Sequence, residues 1–173
     1  TSGSNNVGVG SSALENLTTG NLNVAIGQGA MVTATDVSNC VIIGTYAGDA
    51  INNTGADGTV AIGRDSLGAL TSGSKNTAVG FQSGDTVATG QKNVLIGYDA
   101  DVSGAGATNQ IVIGADTTAV SENSVTLGNT GITDVYMAQD SGATVHGAGV
   151  RMGGDSTYTN EFKISSADVI ARF

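Results

Sequence analysis

Short apolar tetrads alternate with longer polar stretches along most of this chain, and each tetrad ends in a glycine. These repeat glycines are spaced 17, 17, 19, 17, 17, 17 and 14 residues apart. The repeat glycines are Gly10, Gly27, Gly44, Gly63, Gly80, Gly97, Gly114 and Gly128. So regular a step is the signature of a repeat architecture, and it determines how every other feature of the sequence is interpreted.

The tetrads have the composition of buried β-strands. We number positions from the repeat glycine: position −1 is always Val, Ile or Leu, and position −3 is Val, Ile or, once, Thr. Side chains alternate along a strand, so these two positions share one face. We expect that face to fill the inside of a coil. The opposite face, position −2, is also mostly apolar and would need cover. Position −2 holds Gly8, Ala25, Ile42, Ala61, Ala78, Leu95, Val112 and Thr126.

The polar stretches predict the rest of each repeat. Position +3 is always small, and position +7 is apolar in the first five repeats, which predicts a second short inward-pointing strand before a polar turn. A unit of about 17 residues cannot bury a core alone, but stacked units at a spacing of about 4.8 Å would share one. The sequence therefore predicts an all-β fold, a parallel β-roll or β-solenoid of eight rungs over residues 1–128. Helical and leucine-rich solenoids have longer repeats with other patterns.

Position −4 carries a column of polar residues that supports the stacking. Side-chain amides there can hydrogen-bond from rung to rung, as in the ladders of cross-β assemblies. Cys40 takes one place in the column, so we interpret it as a small residue at an amide site and expect its thiol to be unreactive. The predicted ladder is Asn6, Asn23, Cys40, Asn76, Asn93 and Gln110.

Composition and charge narrow the possible partners. The 173 residues include 27 Gly, no Pro, no Trp and only 4% aromatic residues, so any core is built from Val, Ile, Leu and Ala. A net charge of −9 repels nucleic acid and anionic lipid surfaces. There is no apolar run of about 18 residues to enter a bilayer, and the single cysteine cannot form an internal disulfide. We therefore expect a soluble fragment or processed product with no nucleic-acid partner and no membrane insertion.

The apolar face left outside the coil predicts self-association. The simplest cover is another copy of the chain, because small residues such as Gly8 and Ala25 would let backbones approach closely around an axis. We expect closed cyclic symmetry with three copies. The alternative is that the face packs against the chain's own later segment.

Two stretches carry a resemblance to known proteins. Asn23–Ala30 and, more loosely, Asn76–Ser83 follow an Asn-Val-Ala-Ile-Gly-x-x-Ala pattern. The pattern resembles the head repeats of trimeric autotransporter adhesins and, more closely, the repeats of bacteriophage tail fibres. The resemblance covers residues 5–128. It implies a left-handed parallel β-roll in a homotrimer, serving as a shaft or head in a virion tail fibre for host attachment, or alternatively on a bacterial cell surface.

Residues 129–173 lose the 17-residue step but keep short alternating stretches such as Glu161–Ile164, which predicts a non-repetitive, β-rich C-terminal segment. In the fibre family such a segment leads toward a self-cleaving chaperone domain. The sequence has no helical segment typical of that chaperone. We therefore expect the chain to be truncated or to be the mature side of a cut.

Catalytic and metal chemistry is poorly supported by the sequence. Asp65, Asp99 and Asp116 share position +2, so they predict a row of solvated charges rather than the two unlike carboxylates of a polysaccharide depolymerase. His146 has no nucleophile motif or second imidazole to pair with. The glycines and aspartate at 153–155 fit a turn better than a calcium site. We expect no enzyme activity, no metal and no cofactor.

One surface strip is a candidate receptor contact. Arg64, Phe81 and Tyr98 occupy position +1 on successive rungs, where aromatic rings beside a cation could stack on sugar rings of a host glycan or contact a protein receptor. The alternative is a set of unrelated surface aromatics. A further alternative function, ice binding, would use the threonines at position +8, but that column is interrupted at Asn52 and Ala88.

Overall fold

The structure, a computed structural model, describes residues 3–135. These residues form an all-β coil with eight parallel strands, one three-residue 3-10 turn and no α-helix. The strands pair in chain order from the first to the last, in one sheet. They are β1 (Val7–Val9), β2 (Val24–Ile26), β3 (Val41–Ile43), β4 (Val60–Ile62), β5 (Thr77–Val79), β6 (Val94–Ile96), β7 (Ile111–Ile113) and β8 (Val125–Leu127).

The register of the sheet follows the sequence repeat. Each strand residue lies beside the residue at the same repeat position, as with Val24 beside Val41 and Ile96 beside Ile113. One repeat is therefore one rung of a solenoid, which confirms the predicted solenoid and its period of about 17 residues.

The repeat glycines are required by the backbone. Seven of the eight have φ between +130° and +144°, a conformation that side chains disfavour. The rungs are also too close for a Cβ: one added at Gly80 would lie 2.1 Å from the carbonyl oxygen of Gly97. Glycine therefore recurs because it permits both the turn and the close stacking of the next rung.

The predicted second strand after the glycine is wrong. On the first five rungs, positions +2 and +4 take left-handed φ values, for example 58° at Ser12 and 57° at Leu14, which break an extended strand. The segment is a run of turns that still bonds between rungs, since the Leu14 N–H donates to the Ala30 carbonyl at 3.1 Å. Position +7 points inward as expected, and its buried members are Ala34, Ile51, Leu70 and Val87.

The prediction of which strand face lies inside the coil is also wrong. Position −2 is fully buried on six of the eight rungs, whereas positions −1 and −3 face outward. At position −1, for example, the side chain of Ile96 is 41% exposed. The interior is narrow because it also receives the side chains of positions +3, +4 and +7. Two columns of Val and Ile would overfill it. The fully buried residues at position −2 are Ala25, Ile42, Ala61, Ala78, Leu95 and Val112.

Large and small residues alternate across this interior. On the first four rungs, where position −2 is small, position +4 of the same rung is large, and where position −2 is Ile42 the opposing position is Gly48. The fifth rung departs from this rule, because Ala78 and Gly84 are both small and the side chains of Leu67 and Leu95 lie beside Gly84. A Cβ at Gly48 would lie 3.4 Å from Ile42 and 2.8 Å from Ile51. Each of these four layers therefore reaches a similar filled volume. The compensating pairs in the first four rungs are Gly8 with Leu14, Ala25 with Met31, Ile42 with Gly48, and Ala61 with Leu67.

The longer third interval forms the 3-10 turn Thr54–Ala56. The side chain of Asn53 accepts from the Gly55 N–H at 2.9 Å, and Ala56 is buried against the core. The two extra residues are thus absorbed locally, between β3 and β4.

Most of the predicted C-terminal segment, residues 129–173, lies outside the described residues, as do Glu161–Ile164, His146 and the turn at 153–155. Among residues 3–135, no helix has the length and apolar character needed to cross a bilayer.

Candidate functional site

The solenoid brings the three predicted strip residues into one stack. The rings of Phe81 and Tyr98 are nearly parallel, 8° apart, with centroids separated by 5.7 Å. The guanidinium carbon of Arg64 lies 5.5 Å from the Phe81 ring centroid, and its Nε lies 3.2 Å from a carboxylate oxygen of Asp65. We call Arg64, Phe81 and Tyr98 the ring strip.

Backbone hydrogen bonds hold the ring strip in register. The Gln82 N–H donates to the Arg64 carbonyl at 2.9 Å, and the Asp99 N–H donates to the Phe81 carbonyl at 3.0 Å. Equivalent residues therefore lie one rung apart, which is the separation at which aromatic rings stack. Tyr98 is 50% exposed and Phe81 is 37% exposed. The strip is thus an ordered aromatic surface accessible in the single chain.

A second surface feature runs along the strands. We call position −1 of the eight rungs the outer ladder; seven of its residues are between 36% and 55% exposed, and Ile43 is half-buried. Position −3 flanks it and is half-buried on the central rungs. The outer ladder consists of Val9, Ile26, Ile43, Ile62, Val79, Ile96, Ile113 and Leu127.

The amide column forms hydrogen bonds from rung to rung in two stretches. In the second, Asn93 Nδ2 donates to Asn76 Oδ1 at 3.1 Å and to the Ala107 carbonyl at 2.8 Å, while its Oδ1 accepts from the Gln110 N–H at 3.0 Å. In the first, Asn6 Oδ1 accepts from Asn23. The column thus ties each rung to its neighbours through buried amides.

Between those stretches the column is interrupted. Cys40 occupies the position of an amide side chain. Its backbone N–H donates to Asn23 Oδ1 at 3.0 Å, and its Sγ lies 3.5 Å from the Ala56 carbonyl oxygen. The next member, Thr59, is fully buried and its hydroxyl has no hydrogen-bond partner. The interruption coincides with the 3-10 turn, whose Ala56 occupies space beside Cys40.

Burial governs the chemistry of Cys40. Loss of solvent raises the pKa of its thiol. Backbone hydrogen bonds from Thr59 and Gly58 oppose this with smaller effects, and the charge of Asp57 adds the smallest contribution, in the raising direction. A thiol that stays protonated is a poor nucleophile. This supports the interpretation of Cys40 as a packing residue.

The turn segment carries an acidic pair that sequence reasoning missed. Burial raises the pKa of Asp85, and the charge and hydrogen bond of Asp101 raise it further, with a smaller effect from Asp65. Burial likewise raises the pKa of Asp49, with Asp65 again contributing. Asp85 and Asp101 are at positions +5 and +4 of consecutive rungs, so a comparison between neighbouring repeat positions, rather than within one column, could have found them.

Within residues 3–135 the acidic residues do not assemble a metal site, since no group of three or more His, Cys, Asp or Glu side chains converges. Asp116 lines a cavity of about 440 Å³ near the last rung, together with Thr126, Asn129 and other residues that include no second carboxylate. Asp65 is paired with Arg64, and Asp99 lies on another rung. Among the described residues, Asp65, Asp99 and Asp116 therefore do not face one another as a pair of carboxylates.

Comparison of the chain with protein-family models, with curated proteins and with solved structures finds no match. The functional argument accordingly depends on the coil, the outer ladder and the ring strip.

Proposed function

We propose that this chain forms a rod-like section of a host-attachment protein, a trimeric shaft or head of a phage tail fibre that displays a receptor-binding surface. Its rungs wind as a left-handed β-roll, and three copies pack around a common axis. The observation that carries the proposal is the outer ladder, an apolar strip that continues over all eight rungs on the outside of the coil.

Such a strip is unusual on a monomeric surface. Isolated apolar residues are common there, but a contiguous stripe marks an interface. Covering the remaining exposed part of a Val or Ile side chain contributes about 1 kcal/mol, so eight rungs together could hold subunits tightly even after the entropy cost of association. Because the strip is straight and parallel to the stacking direction, identical copies can bury it against one another around a cyclic axis.

The charge of the molecule is compatible with such an assembly. The bases within residues 3–135 are Arg64, Lys75 and Lys92, against a larger number of acids. None of these charges lies in the strand tetrads, so no carboxylate or ammonium group need be desolvated when the outer ladders meet. The surface acids then remain outside, where they keep the rod soluble.

The ice-binding alternative is not favoured by the side-chain geometry. The Thr18 hydroxyl donates to the Thr35 carbonyl at 2.8 Å, and the Thr71 hydroxyl donates to the Ala88 carbonyl at 3.0 Å. These hydroxyl protons are used between rungs rather than presented outward.

A pair of matched variants tests the proposal. Ile96→Asp puts a charge in the centre of the outer ladder, and Val120→Asp puts the same charge at a residue that is 81% exposed and outside the strands. The thermal midpoint of the unmodified chain should rise with protein concentration, because unfolding is linked to dissociation. We expect Val120→Asp to keep that dependence and Ile96→Asp to lose it.

A thermal midpoint independent of concentration in the unmodified chain and in both variants would contradict the proposal. That result would mean that the outer ladder does not join copies of this chain. The circular dichroism spectrum of each variant is compared with that of the unmodified chain. An unchanged β-sheet spectrum shows that a variant which no longer assembles is still folded.

A further inference from the structure

Two sets of hydrogen bonds between rungs are weakened beside the 3-10 turn, and the first set is the amide column. In both stretches of that column, the side-chain oxygen at position −4 accepts the backbone N–H of the same position on the next rung. Asn6 accepts from Asn23 at 2.9 Å, and Asn76 accepts from Asn93 at 3.1 Å. A bond of this kind fixes the distance between two rungs on the side of the coil away from the outer ladder's exposed face.

Cys40 and Thr59 stand between the two stretches. Sulfur is a weak acceptor, so the contact of the Cys40 thiol with the Thr59 backbone holds the fourth rung less firmly than an amide would. The Thr59 hydroxyl is fully buried and has no partner, so it makes no bond to the Asn76 N–H. Two consecutive junctions of the column therefore lack the amide bond.

The second weakened set is at position +8. The Asn52 backbone nitrogen lies 3.5 Å from the Thr71 carbonyl oxygen, beyond the ordinary N–H···O range of about 2.7 to 3.2 Å. The equivalent distance is 2.8 Å from Thr18 to Thr35 and 2.9 Å from Thr71 to Ala88. Thr18 and Thr71 also donate their hydroxyls to the same carbonyls, which an asparagine cannot do. The third and fourth rungs are thus poorly joined at this position as well.

The strands across the same junction remain fully paired. β3 and β4 keep the register of the other strands, and the Val41 N–H donates to the Thr59 carbonyl at 3.0 Å. Nearby, the Ser38 N–H donates to Asp57 Oδ1 at 2.8 Å. Residues 52–55, by contrast, are all exposed. The junction is therefore held firmly at the strands and loosely at the polar turn, and exposed segments with few buried contacts are the ones that open locally.

We infer that Cys40, Asn52, the turn Thr54–Ala56 and Thr59 form a joint, at which the coil opens locally while the other rungs stay folded. The paired strands act as the hinge, and the polar turn moves away from the amide column, which brings solvent to Cys40. The sections of the rod on either side of the joint then tilt without loss of the sheet. This motion belongs to a single coil, so the inference does not depend on whether copies of the chain assemble.

Cys40 reports the opening directly, because it is fully buried and is the single cysteine of the chain. The rate at which N-ethylmaleimide labels the intact chain measures how often the thiol becomes accessible. Chemical denaturation of the same sample gives the labelling rate that global unfolding alone would produce. We expect Cys40 to be labelled at least about tenfold faster than that rate. Low concentrations of urea should change the rate little, because a local opening exposes little surface.

Three variants separate the joint from the rest of the coil. Thr59→Asn supplies an amide oxygen for the Asn76 N–H, and it should slow the labelling of Cys40 at least about tenfold. Ser124→Asn is the matched control, since it adds an amide at the same repeat position on the last rung, and it should leave the labelling rate of Cys40 unchanged. Ala100→Cys combined with Cys40→Ala moves the thiol to a fully buried site on the sixth rung, where labelling should be at least about tenfold slower than at Cys40.

Labelling of Cys40 at the rate of global unfolding, with the full urea dependence, would overturn the joint. Equal labelling of Cys40 and of the thiol in Ala100→Cys would do the same, as would a Cys40 rate that Thr59→Asn leaves unchanged or that Ser124→Asn slows equally.

Hydrogen exchange followed by mass spectrometry needs no variant, and it decides the question if a substitution prevents folding. In the unmodified chain, the amides of residues 52–59 should exchange before those of residues 88–93, the equivalent stretch between β5 and β6. Simultaneous exchange of the two stretches would contradict the inference.

Discussion

Thr59 is the one buried side chain in the described coil whose polar atom has no partner. A buried hydroxyl without a hydrogen bond costs about 1 to 3 kcal/mol. Thr59→Val keeps the shape and removes the hydroxyl, so we expect it to raise the free energy of unfolding by about 1 kcal/mol. Chemical denaturation measures the change.

The control is Thr71→Val, where the hydroxyl donates to the Ala88 carbonyl. The same substitution there should lower the free energy of unfolding by about 1 kcal/mol. If both substitutions change the free energy of unfolding in the same direction, the Thr59 hydroxyl is not an unsatisfied buried group.

Single residues were predictable from sequence where a backbone constraint selects one amino acid. The repeat glycines are of this kind, since their φ values disfavour side chains and the next rung leaves no room for a Cβ, as at Gly80. Left-handed Ser12 and Leu14 were not predictable, because neither residue type signals a positive φ. That is why the segment after the glycine was expected to be a strand.

At the scale of an element, the amide column is the device that fixes the rungs in register. Replacing Asn93 by Leu would leave the Gln110 N–H and the Ala107 carbonyl without their partners inside the coil. We expect Asn93→Leu to lower the free energy of unfolding by about 3 kcal/mol, measured by chemical denaturation.

Asn16→Leu is the matched control. Its Nδ2 also donates to a carbonyl, that of Val32, but at an exposed site where water replaces the bond. The loss there should stay below about 1 kcal/mol. If the two substitutions lower the free energy of unfolding by the same amount, burial of the amide column would add nothing to the stability that an exposed hydrogen bond provides.

The turn segment makes stability depend on pH. Because burial and Asp101 raise the pKa of Asp85, the folded chain holds this proton more tightly than the unfolded chain. This contribution is fully present below the ordinary aspartate pKa of 3.8 and is lost as the pH rises through the raised value. We therefore expect Asp85→Asn to raise the melting temperature at neutral pH, with a difference that shrinks toward about pH 3.

Glu122→Gln removes the same charge at an exposed residue and serves as the comparison. Scanning calorimetry across the pH range gives both curves. An Asp85→Asn benefit that does not change with pH, or one that Glu122→Gln reproduces, would place the cause in overall charge rather than in the Asp85–Asp101 pair.

The strands themselves could be predicted from sequence, but their orientation could not. Period, parallel pairing and the amide ladder all follow from one repeated spacing. The tetrads, however, are apolar on both faces, so alternation alone does not say which face is inside. The size compensation between positions −2 and +4 of the first four rungs, as in Ile42 with Gly48, does carry that information, because only residues that share one interior must share its volume.

For the whole molecule, the reversal of the two faces sharpens the case for assembly. The surface left outside is not the small-residue column containing Ala25 and Ala78 but the larger side chains of the outer ladder. The ring strip was predictable because residues at one repeat position must stack.

The mass of the intact chain in solution tests the central claim most directly. Sedimentation equilibrium or native mass spectrometry at micromolar concentration should give three times the 17.0 kDa of one chain. A particle of 17.0 kDa that keeps its β-sheet circular dichroism would mean that the outer ladder does not join copies of this chain, and would contradict the account.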